Sequence, residues 1–178
     1  MEKETFEIEF REGLVCRLGP LGFQVRNSAF VLDDGLKTIS LIRLGGKMAV
    51  PGAITQVLCF RHSFLRDRTE TVPLLPHASP FDYPYKIQPS LARKFGSLVY
   101  VPQNLHFGHD AFHWSSLDRK TIVTWIDDLA EVIADHVLPW ATSLSPRLAK
   151  SEIDTHGEDA WCERMWIDDY VSWLADHG

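Results

Sequence analysis

The chain is poor in cysteine and has no long apolar run. Its three cysteines among 178 residues lie far apart and form no CxxC pair, so neither a disulfide framework nor a cysteine-rich zinc site is indicated. We therefore expect reduced thiols and a cytoplasmic protein. The longest apolar stretches, such as 97–102 and 121–126, are far shorter than the roughly 20 residues that span a bilayer. We expect no membrane association.

The sequence also lacks the motifs of the common cofactor-dependent enzymes. It contains no GxxxxGK(S/T) phosphate loop, no GxGxxG dinucleotide fingerprint, no GxSxG nucleophile elbow and no kinase signature. An excess of basic charge is absent as well, because the formal net charge is −6. A chain with this balance repels a polyanion. We therefore expect a non-enzymatic protein that binds neither a cofactor nor nucleic acid.

What the chain does have is the composition of a globular domain, with 45% hydrophobic and 24% charged residues. Its length predicts one domain over residues 1–178. Near the N-terminus, large apolar residues recur every four positions and are followed by Gly19-Pro20. This spacing predicts a first helix over 3–18, with one apolar face formed by Phe6, Phe10, Leu14 and Leu18.

Three segments rich in β-branched and aromatic residues follow, at 23–32, 36–44 and 54–64. The turn-forming residues between them predict a three-stranded antiparallel meander. Five prolines between Pro73 and Pro89 exclude a central strand and predict an ordered crossing loop. A further strand is predicted over 96–101.

Two helices are predicted in the last third of the chain. The first begins near Leu117, with Ser115 and Asp118 in a capping-box-like arrangement, and ends at Pro139. The second covers 158–175 and carries a broad apolar set. Because the strands are consecutive, the sequence predicts an α+β fold, with an antiparallel β-sheet of about four or five strands covered by an N-terminal helix and two C-terminal helices around a one-sided core.

Charge is distributed unevenly along the chain. Residues 1–12 carry a net charge of −3, residues 13–112 carry +5, and residues 113–178 carry −8. In the acidic part, carboxylates recur at helical spacing and are predicted to form a solvent-facing surface, namely Asp127, Asp128, Glu131 and Asp135. A solvated helix face explains such a pattern, and so does a docking surface, because an acidic patch steers association with a basic protein partner.

Two other clusters could carry chemistry. Three arginines near the end of the third strand, Arg61, Arg66 and Arg68, could form a forked site for phosphate or carboxylate, or they could keep a turn soluble. Three histidines and a carboxylate fall within eight positions, namely His106, His109, Asp110 and His113. These could offer a metal three nitrogens and one oxygen, although they match no established zinc signature. The alternative is a set of hydrogen-bonded structural histidines.

Three short motifs resemble a bacterial family known as domain of unknown function 4304. They are Leu21-Gly22-Phe23 after an amphipathic helix, Trp114 at the end of a strand-loop segment, and a late helix that runs into Leu138-Pro139-Trp140. The resemblance covers roughly residues 1–145 and implies a compact α+β domain. It implies no activity, and it carries no functional residue over to this chain.

The leading functional hypothesis is a non-enzymatic cytosolic protein-binding domain, with toxin immunity as the specific version. Small acidic cytosolic domains without catalytic motifs resemble immunity proteins in type. In this hypothesis the acidic last third of the chain occupies a basic site on its partner. The alternative is a metal-dependent hydrolase that uses the His106, His109 and His113 cluster, with Asp110 as a ligand or base.

Overall fold

The computed structural model describes residues 2–27, 29–43, 53–67, 82–87, 110–113, 118–160 and 162–178. The α-helices are α1 (Lys3–Leu18), α2 (Arg119–Val132), α3 (Leu138–Ser143), α4 (Pro146–His156) and α5 (Ile167–His177). Short 3-10 segments cover Gly19–Leu21, Gly157–Ala160 and Glu163–Trp166, and a π-helical segment covers Ile133–Val137. The strands are β1 (Gln24–Arg26), β2 (Ala29–Asp33), β3 (Lys37–Arg43), β4 (Ala53–His62), β5 (Tyr85–Ile87) and β6 (Asp110–His113).

The strands form one antiparallel sheet in the order β1-β2-β3-β4-β5. β6 pairs with the first half of β4 and β5 with the second half, while β3 holds the other edge of β4. The described strands therefore occupy five positions across the sheet. The α+β fold and the antiparallel sheet are confirmed, and so is the meander. The segment 23–32 is two strands, because Asn27 takes a positive φ of 54° and reverses the chain.

The N-terminal helix covers one face of this sheet. Its predicted bounds and apolar face are confirmed, since all four of the large apolar residues are buried. Gly22 follows the short 3-10 segment with φ 93°, a left-handed conformation that favours glycine. On the same sheet face, apolar side chains from the strands meet those of α1 and the C-terminal helices in one core, among them Phe30, Leu41, Leu58 and Phe60.

The opposite face of the sheet is buried as well. Alternate residues on β2, β3 and β4 form a second cluster with Tyr83, made of Ala29, Val31, Ile42, Val57 and Cys59. The Tyr83 hydroxyl lies 2.8 Å from the Ser40 hydroxyl, and both side chains are inaccessible to solvent. The prediction of a one-sided core was therefore wrong. Strands with both faces buried carry continuous apolar runs, as β4 does over residues 57–60.

The C-terminal helices differ from the prediction in their bounds. α2 begins after Asp118, whose carboxylate accepts from the Thr121 N–H at 2.7 Å, so Asp118 is the cap itself. Pro139 does not end the helical region, because it lies in the first turn of α3, where no intrahelical N–H is needed. The predicted helix over 158–175 is instead two 3-10 segments followed by α5.

Two predicted features fall partly or wholly outside the described residues. The strand predicted over 96–101 lies outside them. In the proline-rich segment, the short strand β5 pairs with β4 through three residues and is the last strand in the described order. The described part of this segment therefore contains no central strand, but it is not wholly a loop. Among the described helices, none has the length and apolar character needed to cross a membrane.

Candidate binding cleft

A cleft of 350 Å³ lies between α1 and the helix-facing side of β1 to β4. Its apolar lining consists of buried Phe10, Leu14 and Phe30, together with exposed Ile8 and Val25. Cavities of this size accommodate small molecules, which typically occupy pockets of about 300–1,000 Å³. The cleft therefore offers an apolar surface that is open to solvent at one side.

Charged groups of both signs line the same cleft. Arg43 on β3 donates to Glu7 on α1 with 2.8 Å between Nη2 and Oε1. This hydrogen bond lowers the pKa of the Glu7 carboxyl below its ordinary value, with smaller Coulombic contributions from Arg43 and Lys3. Glu7 is therefore ionised at neutral pH, and the pair joins α1 to the last residue of β3.

Two further charged residues on α1 border the cleft. Glu4 and Arg11 are exposed, and neither side chain has a hydrogen bond or ion pair within the described parts of the chain. Arg11 is seven positions after Glu4 on the helix, which corresponds to a rise of about 10.5 Å. Opposite charges are thus available at two places along one rim of the cleft.

Gln56 on β4 supplies a buried polar group to the cleft wall. Its side chain is 6% exposed, and its Oε1 has no hydrogen-bond partner among the described residues. Gln56 pairs across the sheet with Arg43 and with Asp110. Leaving a buried acceptor without a partner costs about 1–3 kcal/mol.

The predicted acidic surface lies on α2 and the π-helical segment. Asp127, Glu131 and Asp135 are exposed, while Asp128 is half-buried. Asp127 accepts a hydrogen bond from Arg17 of α1 at 2.7 Å, so the charge of Asp127 is locally balanced. An ion pair this exposed contributes little to stability. Asp127 and Glu131 are four positions apart on α2, and Asp135 follows four positions later in the π-helical segment, so the docking surface stays a prediction.

In the predicted arginine cluster, Arg61 and Arg66 are already engaged by protein groups. Arg61 is 1% exposed, and its guanidinium donates to the carbonyl oxygens of Asp82, Leu65 and His62. Burial lowers the Arg61 pKa below its ordinary value. Arg66 donates to Asp169 on α5, with 2.6 Å between Nε and Oδ1.

These contacts give Arg61 a structural role on the second face of the sheet and give Arg66 a role at the end of β4. Arg68, the third member of the predicted anion site, lies outside the described residues. The sequence alone did not indicate that the Arg61 side chain points into the protein. Its direction depends on the register of β4 in the sheet and on what covers that face. The anion site stays a prediction that the contacts of Arg61 and Arg66 do not favour.

Half of the predicted metal site lies outside the described residues. His106 and His109 are among the residues that are not described, whereas Asp110 and His113 belong to β6. Within the part of the chain that the structure describes, no group of three potential ligands could hold a metal ion. No disulfide joins any of the three cysteines.

A buried histidine joins β4 to the C-terminal helices. His62 Nε2 lies 3.0 Å from the carbonyl oxygen of Leu144, and Nδ1 lies 3.1 Å from the Tyr170 hydroxyl. Because a carbonyl only accepts, the ring carries its proton on Nε2 and accepts from Tyr170 on Nδ1. Burial lowers the pKa of His62 to about 4 and raises that of Tyr170. Both groups are neutral at physiological pH, and the arrangement is structural.

Sequence reasoning missed the cleft, although one signal was present. Gln56 and Phe60 lie on the same face of β4 by strand alternation, so an inward-facing amide interrupts an apolar face. Comparisons with known proteins add no assignment, because no family model matches the chain and neither a curated protein nor a solved structure does.

Proposed function

We propose that this protein is a non-enzymatic binding protein and that the cleft between α1 and the sheet is its recognition site. The observation that carries the proposal is that Gln56, whose buried Oε1 has no partner among the described residues, belongs to the wall of a cleft of 350 Å³. Buried polar groups in folded proteins almost always have a partner. A ligand in the cleft would supply one when the Gln56 amide turns its oxygen toward it.

The fold supports this function because rigid elements hold each wall. α1 is anchored by four buried apolar side chains, and β3 and β4 are central strands with continuous pairing over seven residues. Binding sites on helices and strands are more precisely organised than sites on loops. The cleft is therefore preformed, which reduces the entropic cost of binding.

A Gln56→Leu variant tests the proposal. We expect a ligand of the cleft to raise the melting temperature of the unmodified protein in a thermal-shift screen of amino acids, sugars, nucleosides and carboxylic acids. The variant should lose this response, since leucine fills a similar volume and accepts no hydrogen bond. Its own stability should be unchanged or raised, because an unpartnered buried oxygen is removed.

A matched control is available on β1. Gln24 is exposed and alternates with Val25, so its side chain lies on the opposite side of the strand from the cleft. Gln24→Leu should retain every response of the unmodified protein. The proposal fails if no compound raises the melting temperature, or if Gln56→Leu responds as Gln24→Leu does.

A second candidate is binding of a basic protein partner, with toxin immunity as its specific form. The observation in its favour is the exposure of Asp127, Glu131 and Asp135 on neighbouring turns within a region of net charge −8. Exposed charges of one sign accelerate association with an oppositely charged protein and reject like-charged ones. This function would place the protein in the cytoplasm, in keeping with the expected reduced thiols.

Neutralising three carboxylates tests this second candidate. Binding to a candidate basic toxin, measured by calorimetry, should weaken at least tenfold in the triple variant Asp127→Asn, Glu131→Gln, Asp135→Asn. Binding by the unmodified protein should also weaken as NaCl rises from 50 to 300 mM, because salt screens exposed charges. A complex insensitive to both changes would contradict the role of this surface.

The control for this experiment removes the same amount of charge elsewhere. Glu158, Asp159 and Asp176 are exposed near the C-terminus, and replacing them with the corresponding amides lowers the net negative charge equally. Affinity should then fall much less than in the first triple variant. Equal losses would indicate a general effect of net charge and would contradict a localised docking surface.

The metal-dependent hydrolase remains the alternative prediction, and so does membership of the domain of unknown function 4304 family. The hydrolase hypothesis depends on His106 and His109, which lie outside the described residues. The cleft and the acidic surface are made entirely of described side chains. They therefore support a binding function more directly than the histidine cluster supports catalysis.

A further inference from the structure

We propose that the ligand of the cleft is a zwitterion of the amino-acid type, with an ammonium group, a carboxylate and an apolar side chain. This inference rests on the proposed function of the cleft as a binding site. A free apolar amino acid and a dipeptide share this chemistry. Both are small enough for a cleft of 350 Å³.

The charges around the cleft favour a ligand that carries both signs. Two cations, Arg11 and Arg43, and two carboxylates, Glu4 and Glu7, line it. A purely anionic ligand would meet two carboxylates, and a purely cationic ligand would meet two guanidinium groups. A zwitterion places each charged group beside the opposite charge, and charge-assisted hydrogen bonds of this kind are stronger than neutral ones.

Part of the charged lining is free to engage a ligand. Arg11 and Glu4 have no ion pair within the described ranges. Arg43 donates one N–H to Glu7, and a guanidinium has five N–H donors, so further donors remain for a ligand carboxylate. The carboxylate of Glu7 retains acceptor capacity beside the same pair.

Gln56 adds an acceptor for a ligand that carries N–H donors. Its Oε1 can only accept, and it is buried without a partner among the described residues. An ammonium or peptide N–H satisfies it, whereas a carboxylate alone leaves this oxygen without a partner. The ammonium end of the ligand therefore lies toward Gln56 and Glu7, and the carboxylate toward an arginine.

The apolar lining requires a ligand with an apolar side chain. Phe10, Leu14 and Phe30 are at most 6% exposed, whereas Ile8 and Val25 at the rim are 52% and 38% exposed. Covering the two rim residues removes apolar surface from water, which is favourable by about 25 cal/mol per Å². Glycine, which has the same charges and no side chain, gains nothing from this contact.

Calorimetric titration with a small set of probes tests the inference. L-Leucine and leucyl-leucine carry both charges, leucinamide lacks the carboxylate, N-acetyl-leucine lacks the ammonium, and glycine lacks the side chain. We expect L-leucine or leucyl-leucine to bind at least tenfold more tightly than the other three probes. Tighter binding of leucine identifies a free amino acid as the ligand, and tighter binding of leucyl-leucine identifies a peptide.

Variants place the binding in the cleft. Arg11→Ala and Gln56→Leu should each weaken leucine or leucyl-leucine at least fivefold, while Arg147→Ala, at an exposed arginine on α4, should have no effect. Thermal unfolding of each variant confirms that it is folded. Absence of binding by both zwitterions, equal binding of the capped probes, or retention of affinity in Gln56→Leu would each overturn the inference.

The outcomes separate this inference from the function on which it rests. If another compound class stabilises the protein through Gln56 while both zwitterions fail, the cleft is a binding site and the ligand class proposed here is wrong. If no compound responds to Gln56→Leu, the binding function of the cleft fails as well.

Discussion

Replacing Phe60 with alanine is expected to lower the free energy of unfolding by about 3–5 kcal/mol, the range measured when large aromatic side chains are removed from protein cores. The Phe60 ring is inaccessible to solvent. It meets three rings edge-on, with centroid separations of 5.2 Å to His62, 5.7 Å to Tyr85 and 5.1 Å to Trp140. Edge-to-face pairs of aromatic rings add to the energy of burial, so the loss should lie toward the upper part of this range.

Urea denaturation followed by tryptophan fluorescence measures this effect. Leu36→Ala is the matched control, since Leu36 is 75% exposed and its removal should change the free energy of unfolding by no more than about 0.5 kcal/mol. If Phe60→Ala is too unstable to purify, Phe60→Leu retains most of the volume and should show a smaller loss. Similar unfolding midpoints for Phe60→Ala and Leu36→Ala would contradict the central position of Phe60 in the core.

Lowering the pH from 6.5 to 4 should destabilise the protein by about 3 kcal/mol through His62 alone. The unfolded histidine has a pKa near 6.5, whereas burial lowers the folded pKa to about 4. Between these values the unfolded chain binds one proton more than the folded chain, so the free energy of unfolding falls as the pH falls. Over this range, each unit by which the pH falls lowers the free energy of unfolding by about 1.4 kcal/mol.

The contribution of His62 is isolated by comparing pH profiles. The unmodified protein and His62→Gln should differ most in the slope of unfolding free energy against pH between 4 and 6.5, where the variant lacks this titration. His177→Gln, at an exposed histidine on α5, should keep the slope of the unmodified protein. Parallel profiles for the unmodified protein and His62→Gln would show that His62 is not a buried neutral histidine.

Local patterns in the sequence were enough to predict the first helix and the strands of the meander. α1 matches its predicted bounds because the fourfold spacing from Phe6 to Leu18 and the Gly19-Pro20 stop are both local. α4 was missed although its signal is also local, since Ser145 accepts from the Leu148 N–H at 3.2 Å and Pro146 begins the helix. Here the capping residue and the N1 proline mark the start of a helix whose buried residues are few, namely Ala149 and Ile153.

The candidate site could not be predicted in the same way. Its walls are brought together by register, since Gln56 pairs with Arg43 across two strands and Glu7 reaches Arg43 from α1. Nothing local to Gln56 indicates that its oxygen would lack a partner. The same reason explains the arginine cluster: neighbouring arginines in sequence are separated by strand alternation and burial, so Arg61 lies in the interior while Arg66 reaches α5.

The contacts at the end of β4 have a consequence for the order in which the chain folds. His62 bonds to Tyr170, Arg66 to Asp169, and Trp166 to the Arg66 carbonyl oxygen, so partners there are separated by 100–108 positions. During synthesis the end of β4 leaves the ribosome long before these partners exist. Contacts this distant in sequence slow folding because a long loop must close first. The meander can therefore form early during translation, whereas its last strand reaches its final packing only after residues 166–170 have emerged.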